Sequence, residues 1–139
     1  MLCGLILASC LLAACSQPKP KSTGQTGPLT YLALGDSTGI GLGAGNGGGY
    51  VDRLAQQLQQ VRPGTRLINL SEAGATTRDV LRQLSSYAGA APSLITVGIG
   101  VNDVVQGIDE TEFTQNYEKI LAQLKKFGAP VIIINVPDV

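Results

Sequence analysis

Apolar residues recur along this chain in two alternating rhythms. Leu29–Leu34, Arg66–Leu70, Leu94–Ile99 and Val131–Ile134 are short, largely apolar runs with the length and character of buried strands. The stretches between them change to helical spacing. Tyr50–Val61 sets Val51, Leu54, Leu58 and Val61 on one stripe and leaves Gln56, Gln57, Gln59 and Gln60 mostly outside it. Thr76 or Thr77 is a good N-cap for a helix to about Tyr87, with Val80, Leu81 and Leu84 inward. Glu110–Phe127 predicts the longest helix, carrying Phe113, Tyr117, Ile120, Leu121 and Leu124 at helical spacing, with Gly128 to close it. Pro63-Gly64, Gly89 to Pro92 and Pro130 supply the breaks.

Strand and helix therefore alternate βαβαβαβ, which predicts a parallel sheet with helices on both faces. Ligands of such sheets bind beyond the C-terminal ends of the strands. The three stretches richest in chemistry, 35–39, 71–75 and 100–103, each follow a predicted strand. The first breaks the run Leu32-Ala33-Leu34 with Gly35-Asp36-Ser37-Thr38-Gly39. A serine on a sharp turn between strand and helix is one way to present a hydroxyl nucleophile. The second, Ser71 to Thr77, puts Gly74 just before a helix N-terminus, where an N–H favours an anion. The third, Gly100-Val101-Asn102-Asp103, offers the amide of Asn102. Ser37 N–H, Gly74 N–H and the Asn102 side chain form a candidate ring of donors for a carbonyl oxygen that becomes an oxyanion. Asp36 and Asp103 read as braces accepting from neighbouring N–H groups.

Composition narrows this picture. The 139 residues suit one domain, and ten basic residues cancel ten acidic ones without a basic stripe, so a nucleic-acid partner is not expected. There is no histidine. Cys3, Cys10 and Cys15 all lie in the first fifteen residues, which is no disulfide framework for a domain. Leu2 to Ala14 suits the apolar region of an export signal, although no Lys or Arg precedes it. Leu12-Ala13-Ala14-Cys15 looks like a bacterial lipobox. The expectation is a lipoprotein signal over 1–14, lipid on Cys15, a polar tether over 15–28 and a domain over 29–139. That architecture anchors the domain outside the cytoplasm, in a bacterial cell envelope.

The three blocks together resemble the SGNH (GDSL-type) hydrolases. Gly35-Asp36-Ser37 is similar to the first block, with Thr38 where leucine is commoner, Asn69 to Thr77 to the second, and Gly100-Val101-Asn102-Asp103 to the G-x-N-D third. The resemblance spans Leu29 to Val139. It implies a flavodoxin-like three-layer α/β/α sandwich, Ser37 as nucleophile and Gly74 and Asn102 as oxyanion donors. It also implies a small-molecule acyl or acetyl ester as substrate, with no cofactor and no metal. The class of ester and the oligomeric state stay open. The family's last block, D-x-x-H, has no counterpart in a chain without histidine, and Asp138 is not given its role.

Other readings compete. Gly35 to Gly39 also fits G-x-S-x-G, but that elbow falls well into an α/β-hydrolase domain rather than after its first strand. Gly43 to Gly48 fits G-x-G-x-x-G of a nucleotide-binding module, yet starts nine residues after Leu34 instead of directly off the strand. A non-catalytic binding domain on the same fold is the third. Val131–Ile134 reads as a strand buried on both faces, and such a run left at an edge invites pairing with other chains. The sequence is therefore expected to be a fragment, with the catalytic Asp and His beyond Val139. On that expectation the 139 residues alone are marginally stable, aggregation-prone and essentially inactive.

Overall fold

The computed structural model describes residues 27–134; the lipobox, Cys15, most of the tether and Asp138 lie outside the described residues. The elements are β1 (Thr30–Gly35), α1 (Ser37–Ile40), α2 (Tyr50–Val61), β2 (Arg66–Asn69), α3 (Thr77–Ser86), β3 (Leu94–Gly98), α4 (Val101–Val105), α5 (Glu110–Lys125) and β4 (Val131–Ile134). The four strands form one parallel sheet in the order β2-β1-β3-β4. That is the flavodoxin-like order, and its switch point lies between β1 and β3, where successive connections leave in opposite directions.

Side-chain alternation along the strands assigns the two faces. Leu32, Leu34, Ile95 and Val97 pack with Val80 and Leu84 of α3 and Ile120 and Leu124 of α5. Tyr31 and Ala33 point the other way, against Val51, Leu54, Ala55 and Leu58 of α2. The register Tyr31↔Leu94 to Gly35↔Gly98 keeps like-facing residues side by side. Each fully buried Leu or Ile contributes about 1.5–3 kcal/mol, so this alternation holds the three layers together. Tyr31, wholly buried, spends its hydroxyl on Thr96 Oγ1 of β3 at 2.9 Å.

Helix ends follow local chemistry. The Asp52 carboxylate accepts from Gly49 N–H at 3.1 Å at the start of α2, and Asp79 accepts from Thr76 N–H at 2.8 Å before α3. Asp109 Oδ1 accepts from Glu112 N–H at the start of α5. Such side-chain acceptors satisfy donors that a helix leaves open at its start.

Several expectations need correction. Val61 does not join the buried stripe of α2; it is 71% exposed, at the last turn before the Pro63-Gly64 break. Leu121 is exposed too, because the buried line of α5 runs through Asn116, Ile120 and Leu124. The edge position of β4 is not among the corrections: it is the last strand of the order among the described residues, with Ile132 and Ile133 46% and 44% exposed. The stretches 35–39 and 100–103 are not plain loops: each runs directly into a short helix, α1 or α4.

Burial pushes the Tyr31 phenol up to about 12 from its ordinary 10.0. The folded state therefore holds the proton more tightly than the unfolded chain does. Its stabilising contribution is complete below pH 10 and is lost as pH rises through about 12. Chemical denaturation between these limits is expected to show stability falling with pH, and falling less steeply in Tyr31→Phe. Equal slopes in the two proteins would reject the assignment.

Candidate active site

The crest of the sheet begins with a forced glycine. Gly35 ends β1 at φ +141°, and a Cβ there would lie 2.2 Å from Gly98 O. The same carbonyl accepts from Asp36 N–H at 3.2 Å, so β1 and β3 stay locked together up to the serine. From the helical face, buried Gln83 completes the hold. Its Oε1 accepts from Gly35 N–H at 3.0 Å while its Nε2 donates to Gly35 O at 2.9 Å.

Asp36 then caps α1. Its Oδ1 accepts from both Thr38 N–H and Thr38 Oγ1 at 2.8 Å. Ser37 is the first residue of that turn and is half-buried. A first-turn N–H has no partner within its helix, and Ser37 N–H donates to no group among the described residues. Gly41, left-handed at φ +81°, ends the turn. Asn69, at the end of β2, donates from Nδ2 to Gly39 O at 2.8 Å and fixes the turn from the side. Gly39 sits so close to Ser71 that a Cβ would fall 2.2 Å from Ser71 Oγ. Beneath this loop, burial raises the pKa of the Tyr50 phenol, whose hydroxyl has no hydrogen-bond partner among the described residues.

The second loop is a turn with a chosen hand. Ala75 N–H closes on Glu72 O at 3.2 Å, with Gly74 in the third position at φ +76°. Only glycines have positive φ among the described residues, so Ala73 does not, and the turn is type II. A Cβ on Gly74 would meet nothing within 4 Å. The backbone angle, not lack of room, calls for glycine. A type I turn would rotate the central peptide and point the Ala73 carbonyl where Gly74 N–H now points.

The third loop is bound to the second by side chains. Asn102 Nδ2 donates to Ala75 O at 2.9 Å, and Gln106 Nε2 donates to Gly74 O at 3.0 Å. The buried Asp103 carboxylate accepts from Thr77 N–H at 3.1 Å with both oxygens and from Thr77 Oγ1 at 2.6 Å. Asn116 of α5 donates to the same Thr77 hydroxyl at 3.3 Å. Asn102 therefore does not cap its own backbone. A carboxamide nitrogen carries two protons, and the bond to Ala75 O leaves the second without a partner among the described residues. Asp36 and Asp103 are acceptors of several bonds each, in keeping with bracing. Glu72 forms a two-point pair with Arg82, whose hydrogen bonds hold its pKa below the ordinary carboxylate value.

Ser37, Gly74 and Asn102 thus follow β1, β2 and β3 at one edge of the sheet, with loops two and three in direct contact. The G-x-G-x-x-G stretch instead lies between α1 and α2. The α2 N-terminus it leads to is occupied by the Asp52 carboxylate, where a phosphate would have to bind. Among the described residues there is no cluster of three or more His, Cys, Asp or Glu able to hold a metal. Gln83 and Gln106 escaped the sequence reading, and Asn69 stood in the second block without a role. Gln83 had a signal, since it lies three residues after Val80 and beside Leu84 on the inward stripe.

Sheet order and crest define a flavodoxin-like α/β/α sandwich. Residues 33–139 match the model of the GDSL-like Lipase/Acylhydrolase family, and the chain belongs to that family. It is 28% identical over 115 residues to an esterase, TesA, of Pseudomonas aeruginosa, covering 82% of this chain and 57% of that protein. It is 29% identical over 136 residues to an arylesterase of Vibrio mimicus, covering 97% of this chain and 63% of that one. Among solved structures, AlinE4, an SGNH-hydrolase family esterase, superposes with TM-score 0.65 at 29% identity, over 79% of this chain and 61% of that one. The chain spans about three fifths of the length of these relatives.

Asp103→Asn is expected to place an amide against the Thr77 donors and leave a buried group unpaired. The loss should be about 1–3 kcal/mol of stability. For a domain of this size that lowers Tm by roughly 5–15 °C in a thermal melt. An unchanged Tm would mean that Asp103 does not carry the tie between loops two and three.

Proposed function

We propose that this chain carries the nucleophile and oxyanion hole of a serine esterase acting on carboxylic esters. In this reading Ser37 Oγ attacks the ester carbonyl carbon, and the oxygen gains charge against Ser37 N–H, Gly74 N–H and the free Nδ2 proton of Asn102. The alcohol departs, and water then releases the acid from the acyl-serine. What supports the reading is a half-buried serine at the switch point beside braced loops, in which Asp36, Asn102 and Gln106 are engaged with the backbone. Membership of an acylhydrolase family, with relatives named as esterase and arylesterase, points the same way. The serine needs a base, and the 139 residues contain no histidine, so the reading assigns the base to a histidine outside them. Substrates in its scope are lysophospholipids, thioesters and sugar acetates.

The lack of histidine favours one second reading, a binding domain that keeps the fold without catalysis. The two separate on a panel of short-chain p-nitrophenyl esters, assayed with the protein made from the complete reading frame. Esterase function predicts hydrolysis that Ser37→Ala reduces on the order of 10⁶-fold in kcat, the scale of losing a triad serine. Asn102→Ala should reduce kcat by about 10²–10³ with KM little changed. No hydrolysis above background of any ester would favour the binding domain.

Lipid attachment at Cys15 belongs to the same proposal and would hold the domain at a membrane, outside the cytoplasm. Fractionation of a bacterial host is expected to find the wild type with membranes and Cys15→Ser in the soluble fraction. Identical partition of the two would remove the anchor.

A further inference from the structure

We infer that Gln106, outside every motif block, is a positioning residue that sets the spacing of the two proposed oxyanion donors. The inference rests on the proposed roles of Gly74 and Asn102 and goes beyond them. Asn102 and Gln106 are four residues apart, so they project from the same side of one helical turn. That turn is itself closed by Gln106 N–H on Asn102 O at 2.8 Å. Both carboxamides reach across to consecutive carbonyls of the second loop, Gln106 to Gly74 O and Asn102 to Ala75 O. Helix α4 therefore grips the loop at two successive peptides.

The grip matters because of what it fixes. The Gly74–Ala75 peptide is tied at both ends: its N–H to Glu72 O within the turn, its C=O to Gln106. Gly74 N–H lies one residue upstream of that plane. Asn102 Nδ2 lies on the same rigid turn as Gln106. The Gln106 bond thus carries the position of one donor to the other. Asp103 ties the loop only farther along, at Thr77, and cannot replace this contact. Gly74 is free to rotate, having no side chain and nothing near its missing Cβ. Without Gln106 the Gly74 carbonyl turns to water, and the Gly74–Ala75 peptide itself keeps only the turn's closing bond, since the Asn102 bond acts one peptide farther on, at Ala75 O. Gln106 is exposed and touches no buried core, so its loss should leave stability nearly unchanged.

The test uses the protein from the complete reading frame, with kcat, KM and Tm measured for four variants on a p-nitrophenyl ester. Gln106→Leu removes the donor, and Gln106→Glu sets a charged oxygen against the Gly74 carbonyl. Gln106→Arg restores a long donor, and Asn102→Ala is the control. Donors of this kind act on the transition state, so a displacement should lower kcat and spare KM. We expect kcat to fall about tenfold for Leu and more for Glu, to recover for Arg, and Tm to stay within about 2 °C, on the scale of a misplaced rather than a missing group. Wild-type kcat in Leu and Glu while Asn102→Ala is impaired would overturn the inference and leave the esterase reading intact. A kcat loss matched by falling Tm, or not recovered by Arg, would also overturn it. An unimpaired Asn102→Ala would instead bring down the esterase reading itself.

Discussion

Everything at the crest depends on how closely β1 and β3 approach at their C-terminal ends. Gly35 lies against Gly98 O at a distance that no Cβ permits, and Asp36 N–H takes up that same carbonyl. The two strands thereby stay paired through the last residue before the serine. Were they to part earlier, as strands at a switch point tend to do, Asp36 would lose its anchor and α1 its cap. Gln83 reinforces the contact from the helical layer by matching both polar groups of Gly35. A buried carboxamide that failed to do so would leave two unsatisfied groups in the core, which is why this glutamine and this glycine belong together.

Above that contact, most polar side chains of the motif blocks, and Gln106 just outside them, are spent on the backbone. Asp36 holds Thr38, Asn69 holds Gly39, Asp103 holds Thr77, Gln106 holds Gly74, and one proton of Asn102 holds Ala75. Ala75 is the one residue of the 71–75 loop within the buried apolar core, so these bonds do much of what a core would do there. They also have a chemical consequence. A preorganised donor stabilises a developing charge because it need not reorient when the charge forms. Loops braced at successive peptides meet that requirement; glycine-rich loops without such braces would not.

The fold was legible in the sequence because strand and helix differ in hydrophobic period. The ends of α2 and the whole of β4 fell where the pattern put them, and Thr76 proved to be the cap of α3. What escaped was set by tertiary context. Helices α1 and α4 are too short to show a period and contain glycine or β-branched residues, so only capping and crossing bonds make them helical. Val61 and Leu121 match the helical spacing yet face water, since periodicity names a face but not how far the neighbouring layer extends over it. Ile132 and Ile133 are half exposed at an edge, the position that an apolar run with nothing after it to cover it already implied. In the site, Ser37, Gly74 and Asn102 stood out through their motifs. Gln83 and Gln106 did not, because a glutamine in a helix looks like a solvated residue until its partner, 48 or 32 positions away, is known.

This division bears on how any substitution in the motif blocks must be interpreted. Asp36 accepts two loop donors at Oδ1 and Asp103 has both oxygens occupied, so replacing either changes the frame before it changes the chemistry. Ser37 is different, for its first-turn N–H lies outside the helix's own bonding and its side chain stands at the open end of the sheet. Gly74 is intermediate: its N–H is the group of interest, but its left-handed φ is also what makes the turn type II. A side chain there would disturb conformation and chemistry together even though nothing would clash. Loss of activity alone cannot then separate scaffold from reacting group at these positions. The separation comes from pairing kcat with thermal stability, because a buried frame residue such as Asp103 moves both, whereas a donor to the transition state, or an exposed residue that only positions one, moves the first alone.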